Sequence, residues 1–188
     1  MFHRAVAPGI ELKLIQMEDA KALWVAVEYD RAYLREWLPW VDHTHSVEDI
    51  RAFIETVECQ YRDNRGPQSG IWVDGALVGT VGCHPIDHAN RNCSIGYWVS
   101  STLQGRGIVT QCCAALLDYL FDEAGLHRVV IQCGTGNAKS CAIPKRLGFT
   151  REGINREGEW VSDRWVDLVV WSMLEQDWRK RKHDSRAS

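Results

Sequence analysis

The stretch that decides the fold is Ile95–Phe121, IGYWVSSTLQGRGIVTQCCAALLDYLF. It divides into a short strand, a tight loop Leu103-Gln104-Gly105-Arg106-Gly107, and a helix. Val109, Cys112, Cys113, Leu116, Leu117 and Leu120 recur at three- and four-residue steps with Gln111 and Asp118 between them, so one helix face is apolar and pinned to a core. Two glycines one residue apart let the backbone turn sharply with its N–H groups inward, and the helix that follows adds the positive end of its dipole. The expectation is a cradle for a phosphate or pyrophosphate. The competing reading of a lone Gly-x-Gly is an ordinary turn. A Walker loop is excluded because no Lys-Ser or Lys-Thr follows, and a dinucleotide fingerprint fits poorly because Thr110 stands where its third glycine belongs. The preceding strands, Ile71–Val73, Ala76–Cys83 and Cys93–Val99, are joined at Asp74-Gly75 and around His88–Asn92. They read as an antiparallel meander feeding the loop, not as a parallel crossover.

Upstream, residues 1–9 read as a loose arm and Ile10–Leu14 as a half-buried strand. A helix follows with Ala20, Leu23, Trp24 and Val27 as its inner stripe and Glu18-Asp19 in its first turn. Trp37, Leu38, Pro39 and Trp40 place two indoles around a helix-ending proline, either as core or as aromatic surface beside a loop. Ser46 with Asp49 reads as an N-cap, and Ile50, Phe53, Ile54, Val57 and Tyr61 form the face of a second helix ending near Arg65-Gly66-Pro67. Downstream come a buried strand Arg128–Cys133, a turn Gly134–Asn137, and a short helix to Leu147. Pro144 sits awkwardly in that helix unless it falls near the first turn. Thr150–Trp160 and Arg164–Leu174 read as two long strands around Ser162-Asp163. The basic run Arg179–Lys182 reads as a solvated end, giving one domain over residues 1–178 and a basic polar tail over 179–188.

The chain of 188 residues suits one domain with a sizeable core. A net charge of −3 offers nucleic acid no general attraction. No stretch approaches the ~20 apolar residues of a membrane helix, and no basic-then-apolar leader opens the sequence, so the default expectation is a cytoplasmic protein without membrane association. The seven cysteines include no Cys-x-x-Cys pair and read as reduced thiols, mostly small core hydrophobes. The seven histidines show no metal-ligand spacing, so no metal is expected.

Gln104-Gly105-Arg106-Gly107 resembles the coenzyme-binding signature of the GCN5-related N-acetyltransferases. Val109, often Gly or Ala in that family, is similar to the RimJ/RimL branch. So are Arg31–Trp40, Ile95–Val99, Asn137 with Ser140, and Arg146–Phe149, in that branch's order over nearly the whole chain. The resemblance implies an α+β fold: a mixed, mostly antiparallel twisted sheet of about seven strands flanked by about four helices, splayed between strands 4 and 5. It implies acetyl-coenzyme A as donor, held by Tyr97, Trp98 and Val99 on the strand, by Gln104, Gly105, Arg106, Gly107, Ile108, Val109 and Thr110 at the loop and helix start, and by Asn137 and Ser140. It further implies Ser140 as proton donor to the leaving thiolate, Glu159 as general base, and Trp37, Trp40 and His43 on the acceptor wall. Trp160 and Trp165 are further candidates to stack on a planar acceptor. Dimerisation is a family-level expectation.

Read from the residues alone, Asn137 and Ser140 also suit a turn and a helix cap. Glu157 competes with Glu159, because regular alternation would put both on one side of a strand. An α-amine, with a pKa near ~8, is roughly 10% neutral at pH 7, whereas a lysine near ~10.4 is neutral about 250-fold less often. A single carboxylate base is therefore better matched to an α-amine. The expected acceptor is a peptide N-terminus, with a small amine (antibiotic, aminoacyl nucleotide or polyamine) or a non-catalytic coenzyme sensor as the alternatives.

Overall fold

The computed structural model describes residues 1–186. In chain order the elements are β1 His3–Ala7, β2 Ile10–Leu14, α1 Ala20–Tyr29, α2 Arg31–Arg35, α3 Val47–Arg62, β3 Gln68–Val73, β4 Ala76–Cys83 and β5 Asn92–Val99. They continue with α4 Ile108–Asp118, β6 Arg128–Gly134, α5 Ala138–Leu147, β7 Thr150–Val161, β8 Arg164–Leu174 and α6 Glu175–Arg186. The strands form one sheet in the order β1-β2-β3-β4-β5-β6-β8-β7. Every neighbouring pair is antiparallel except β5 and β6.

Two cores follow from the strand alternation. On one face Ile71, Val81, Ile95, Val129, Ile131 and Met173 pack against Cys112, Cys113, Leu116, Leu117 and Leu120 of α4 and its extension, with Leu147 and Trp178 beside them. Leu116, Leu117 and Leu120 are completely buried, each side chain contributing about 1.5–3 kcal/mol. On the other face Leu77 and Trp98 meet Leu23, Val27, Leu34, Ile50 and Ile54 of the three N-terminal helices. The Ser46 cap is as expected: its hydroxyl accepts from the Asp49 N–H, and the Asp49 carboxylate takes the Ser46 N–H in return.

Three expectations need correction. The first nine residues are no loose arm. They contribute an eighth strand, β1, because Phe2 packs edge-on to Tyr119 at 5.0 Å, and Arg4 lies over both rings and pairs with Glu123. The basic run after residue 178 does not end as a solvated tail. It belongs to α6, where Lys182 Nζ reaches Asp118 and Asp122 at 2.7 and 3.0 Å, and Trp178 Nε1 donates to Asp118 at 2.9 Å. The last two tail positions, 187 and 188, lie outside the described residues. Pro144 falls in the second turn of α5, past the first turn where a proline is tolerated. The described residues thus form six α-helices, two more than the expected number.

Candidate active site

The sheet opens between β5 and β6, the fourth and fifth of the seven strands expected from the sequence. Their parallel pairing runs only from Asn92 opposite Arg128 to Ser94 opposite Val130. On the other side of β5, His84 N–H donates to Ser94 O at 2.8 Å and Ser100 N–H to Val78 O at 2.7 Å. Even-numbered residues of β5 therefore exchange hydrogen bonds with β4, which turns the N–H groups of Tyr97 and Val99 toward the gap, beyond the last residue that pairs with β6. Such a wedge presents backbone donors without breaking the core behind it.

A cavity of about 980 Å³ occupies the wedge and continues under the N-terminal helices. One end is the glycine loop. Gly105 and Gly107 adopt φ of +74° and +77°, left-handed values that a side chain would strain. Gly107 caps α4, so the N–H groups of Ile108, Val109 and Thr110, which have no partner inside the helix, point into the loop. Val109, where the family often has a smaller residue, is buried at the base of the helix.

Helix α5 lines the wedge. Asn137 is its N-cap, with Oδ1 accepting from the Ser140 N–H at 3.0 Å. The structure reverses the reading of Asn137 as a turn residue and Ser140 as the cap: Asn137 holds the capping position, and the Ser140 hydroxyl donates elsewhere, to Tyr97 Oη at 3.4 Å. Cys133 Sγ lies 3.9 Å from that phenol oxygen, and burial pushes its thiol up to about 12, so it carries a proton near neutrality.

The opposite end is aromatic and holds one acid. Trp37, Trp40 and His43 line it, with Trp40 and Trp98 at 6.4 Å between ring centroids. Trp37 lies against Gly134 and Gly136, where an added Cβ would come within 3.2 Å of the ring. The turn Gly134–Asn137 is a seat for an indole. Glu159 is the one carboxylate among the lining residues, and burial raises its pKa above the ordinary value. Glu157 is absent from the lining. Five residues of β7, Asn155 to Glu159, span only the three from Leu168 to Val166 of β8, and in that bulge Glu157 takes φ +49° and turns its side chain to solvent. Ser162 Oγ donates to Arg35 O at 2.9 Å and Arg164 to Glu36 O at 3.2 Å, tying the β7–β8 turn to the end of α2 and closing this wall.

Three candidates, Trp160, Trp165 and Arg106, fall outside the cavity. Trp160 follows Glu159 and so faces the other side of the sheet, half exposed and edge-on to Trp165 at 5.2 Å. Arg106 bends back to donate to Thr102 O at 3.3 Å. The cation beside the loop is instead Lys139, whose Nζ donates to Gln104 Oε1 at 2.8 Å. Its position in the first turn of α5, two residues after Asn137, was the available signal. Among the described residues no group of three or more His, Cys, Asp or Glu is placed to hold a metal ion, and no helix is long and apolar enough to cross a membrane.

A wedge with backbone N–H groups turned into it, a glycine cradle at a helix start and a single partly buried carboxylate fit an acyltransferase that uses a phosphate-bearing acyl carrier. Residues 10–150 match the acetyltransferase (GNAT) domain, and the chain belongs to that family. It is 36% identical to the putative ribosomal N-acetyltransferase YdaF of Bacillus subtilis, over 97% of this chain and all of that protein. It is 25% identical to the ribosomal-protein-serine acetyltransferase of Escherichia coli, over 90% of this chain and 94% of that protein. Among solved structures, the microcin C7 self-immunity acetyltransferase MccE, in complex with acetyl-CoA and AMP, superposes with a TM-score of 0.84 at 28% identity, covering 90% of this chain and 94% of that one. The protein is an acetyl-CoA-dependent N-acetyltransferase with RimJ/RimL-like relatives.

Proposed function

We propose that this enzyme acetylates the N-terminal α-amine of a polypeptide, a ribosomal protein or one resembling it, by direct transfer. The observation that carries this reading is Glu159, the lone lining carboxylate at the aromatic end of the cavity, with a pKa raised by burial. One carboxylate of that kind suits an amine already partly neutral at pH 7, as an α-amine is. The likeness to a putative ribosomal N-acetyltransferase and to a ribosomal-protein-serine acetyltransferase supports the same reading.

The residues fit the carrier. The glycine loop and the N–H groups of Ile108, Val109 and Thr110 would hold its pyrophosphate, with Lys139 adding charge. The inward N–H groups of Tyr97 and Val99 would pair with its pantetheine arm. Bound acetyl-CoA supplies an activated acetyl thioester and, after transfer, a thiolate leaving group. The Val99 N–H would donate to the thioester oxygen, stabilising the charge that develops there. Glu159 takes one proton from the ammonium, directly or through one water, and releases it to solvent. As the new C–N bond forms and the C–S bond breaks, Ser140 donates its hydroxyl proton to the sulfur, and the amine's second surplus proton replaces it through solvent. No side-chain nucleophile is required, and Cys133, held as a thiol, offers none.

A small-amine acceptor is the second reading, favoured by the two indoles at Trp37 and Trp40 and by the likeness to a structure holding AMP. Coenzyme A release should be measured with free α-amino peptides, with the same peptides blocked except at lysine, and with aminoacyl and polyamine compounds, and product masses should locate the acetyl group. The expected outcome is turnover confined to free α-amines. Turnover only with small compounds would replace this reading. Turnover unchanged by Glu159→Gln and Ser140→Ala would remove these residues from the chemistry, and tight coenzyme binding without turnover would favour a sensor.

A further inference from the structure

Pro144 has no N–H, so the carbonyl four residues earlier in α5, that of Ser140, loses its helical donor. Tyr97 takes the vacancy. Its hydroxyl donates to Ser140 O at 3.1 Å, and the Ser140 Oγ donates back to Tyr97 Oη at 3.4 Å. One phenol thus holds both the main chain and the side chain of one serine. It does so across the wedge, because Tyr97 stands on β5 whereas Ser140 stands on the helix that follows β6, where the two strands no longer pair. The phenol is largely desolvated, which pushes its pKa well above the ordinary value and keeps it protonated. Its single proton is engaged by the carbonyl, leaving the oxygen to accept from the serine.

We propose that Tyr97 is a positioning residue for Ser140, fixing the rotamer of its hydroxyl, while its second bond, to the carbonyl that Pro144 frees, holds the first turn of α5 at its height in the wedge. At 3.4 Å the Oγ–Oη bond is weak enough for a developing thiolate to displace it by turning only the hydroxyl proton. The inference rests on Ser140 acting as the proton donor, and the variants below separate the two ideas.

Steady-state kinetics and thermal melting should be compared for wild type, Tyr97→Phe, Pro144→Ala, Ser140→Ala and the doubles of Tyr97→Phe with each of the other two. Tyr97→Phe should lower kcat about tenfold and leave KM for acetyl-CoA within about twofold, since the lost bonds orient the serine and do not hold the donor. Pro144→Ala restores an N–H to the Ser140 carbonyl. In that background Tyr97→Phe should lose its effect on the melting temperature and keep its effect on kcat. In the Ser140→Ala background it should cost no further kcat. A kcat loss rescued by Pro144→Ala, or equally large without the serine hydroxyl, would reduce Tyr97 to a structural partner of the carbonyl and overturn the proposal. An unimpaired Ser140→Ala enzyme would overturn the proton-donor reading first, and the inference with it.

Discussion

Glu157 and Glu159 are equivalent in any reading based on strand alternation, and a bulge separates them. The left-handed backbone at Glu157 sends its side chain to solvent, and ladder pairing resumes with Glu159 opposite Val166, inside the cavity. To serve as a base, Glu159 must be ionised, and its burial lifts the pH at which ionisation occurs above the ordinary ~4.3 of a glutamate. Turnover should therefore fall as pH drops through that raised value, with kcat/KM giving the limb directly. Glu159→Gln should lower kcat about a hundredfold or more, leave KM for acetyl-CoA nearly unchanged, and abolish the acidic limb. A Gln variant that kept the limb would assign it to another group. Tyr97 belongs to the same scale: its place on the strand is legible from IGYWV, but its bond to a carbonyl freed by a proline 47 positions later is not.

At the scale of elements, the loop Leu103–Gly107 and α4 form one device. The left-handed glycines reverse the chain so that the helix starts with its N–H groups directed at the loop, and the apolar face behind fixes the helix against the sheet. Gly107→Ala would impose about 1–2 kcal/mol of left-handed strain at the cap. KM for acetyl-CoA is expected to rise about tenfold with kcat changed less than about threefold if, as proposed, the loop holds the carrier and not the reacting atoms. Equal falls in kcat and kcat/KM would place the loop's contribution in the chemical step instead. The strand-loop-helix order was legible because its periodicity switches sharply from two to near 3.6. The engagement of Lys139 with that loop was not, because the two meet only when α5 and α4 stand side by side.

Over the whole molecule, the wedge is held at its closed end by a tie spanning β6, β8 and β7. Arg128 donates two 2.6 Å bonds to Glu152, and Ser172 on β8 donates to the same carboxylate at 2.8 Å. The guanidinium, then the serine hydroxyl, pull the Glu152 pKa down to about 2. The folded carboxylate thus binds a proton more weakly than the unfolded one, so its contribution is complete above the unfolded value near ~4.3 and is lost as pH falls toward about 2. Urea midpoints of wild type and Glu152→Gln should converge across that window; a constant gap from pH 5 to 2 would show that the tie contributes through shape alone. The sequence by itself determined the antiparallel meander, the glycine loop and the helix behind it, because each depends on local periodicity and on glycine's freedom of φ, and its motifs carried the class of fold through their resemblance to a family. Only the tertiary structure decided that residues 3–7 form a strand, that α6 docks through Trp178 and Lys182, that Trp160 faces away from the cavity, and that Glu159 and not Glu157 lines it. Those outcomes depend on long-range packing and on a two-residue shift in strand register, which no local pattern of side chains records.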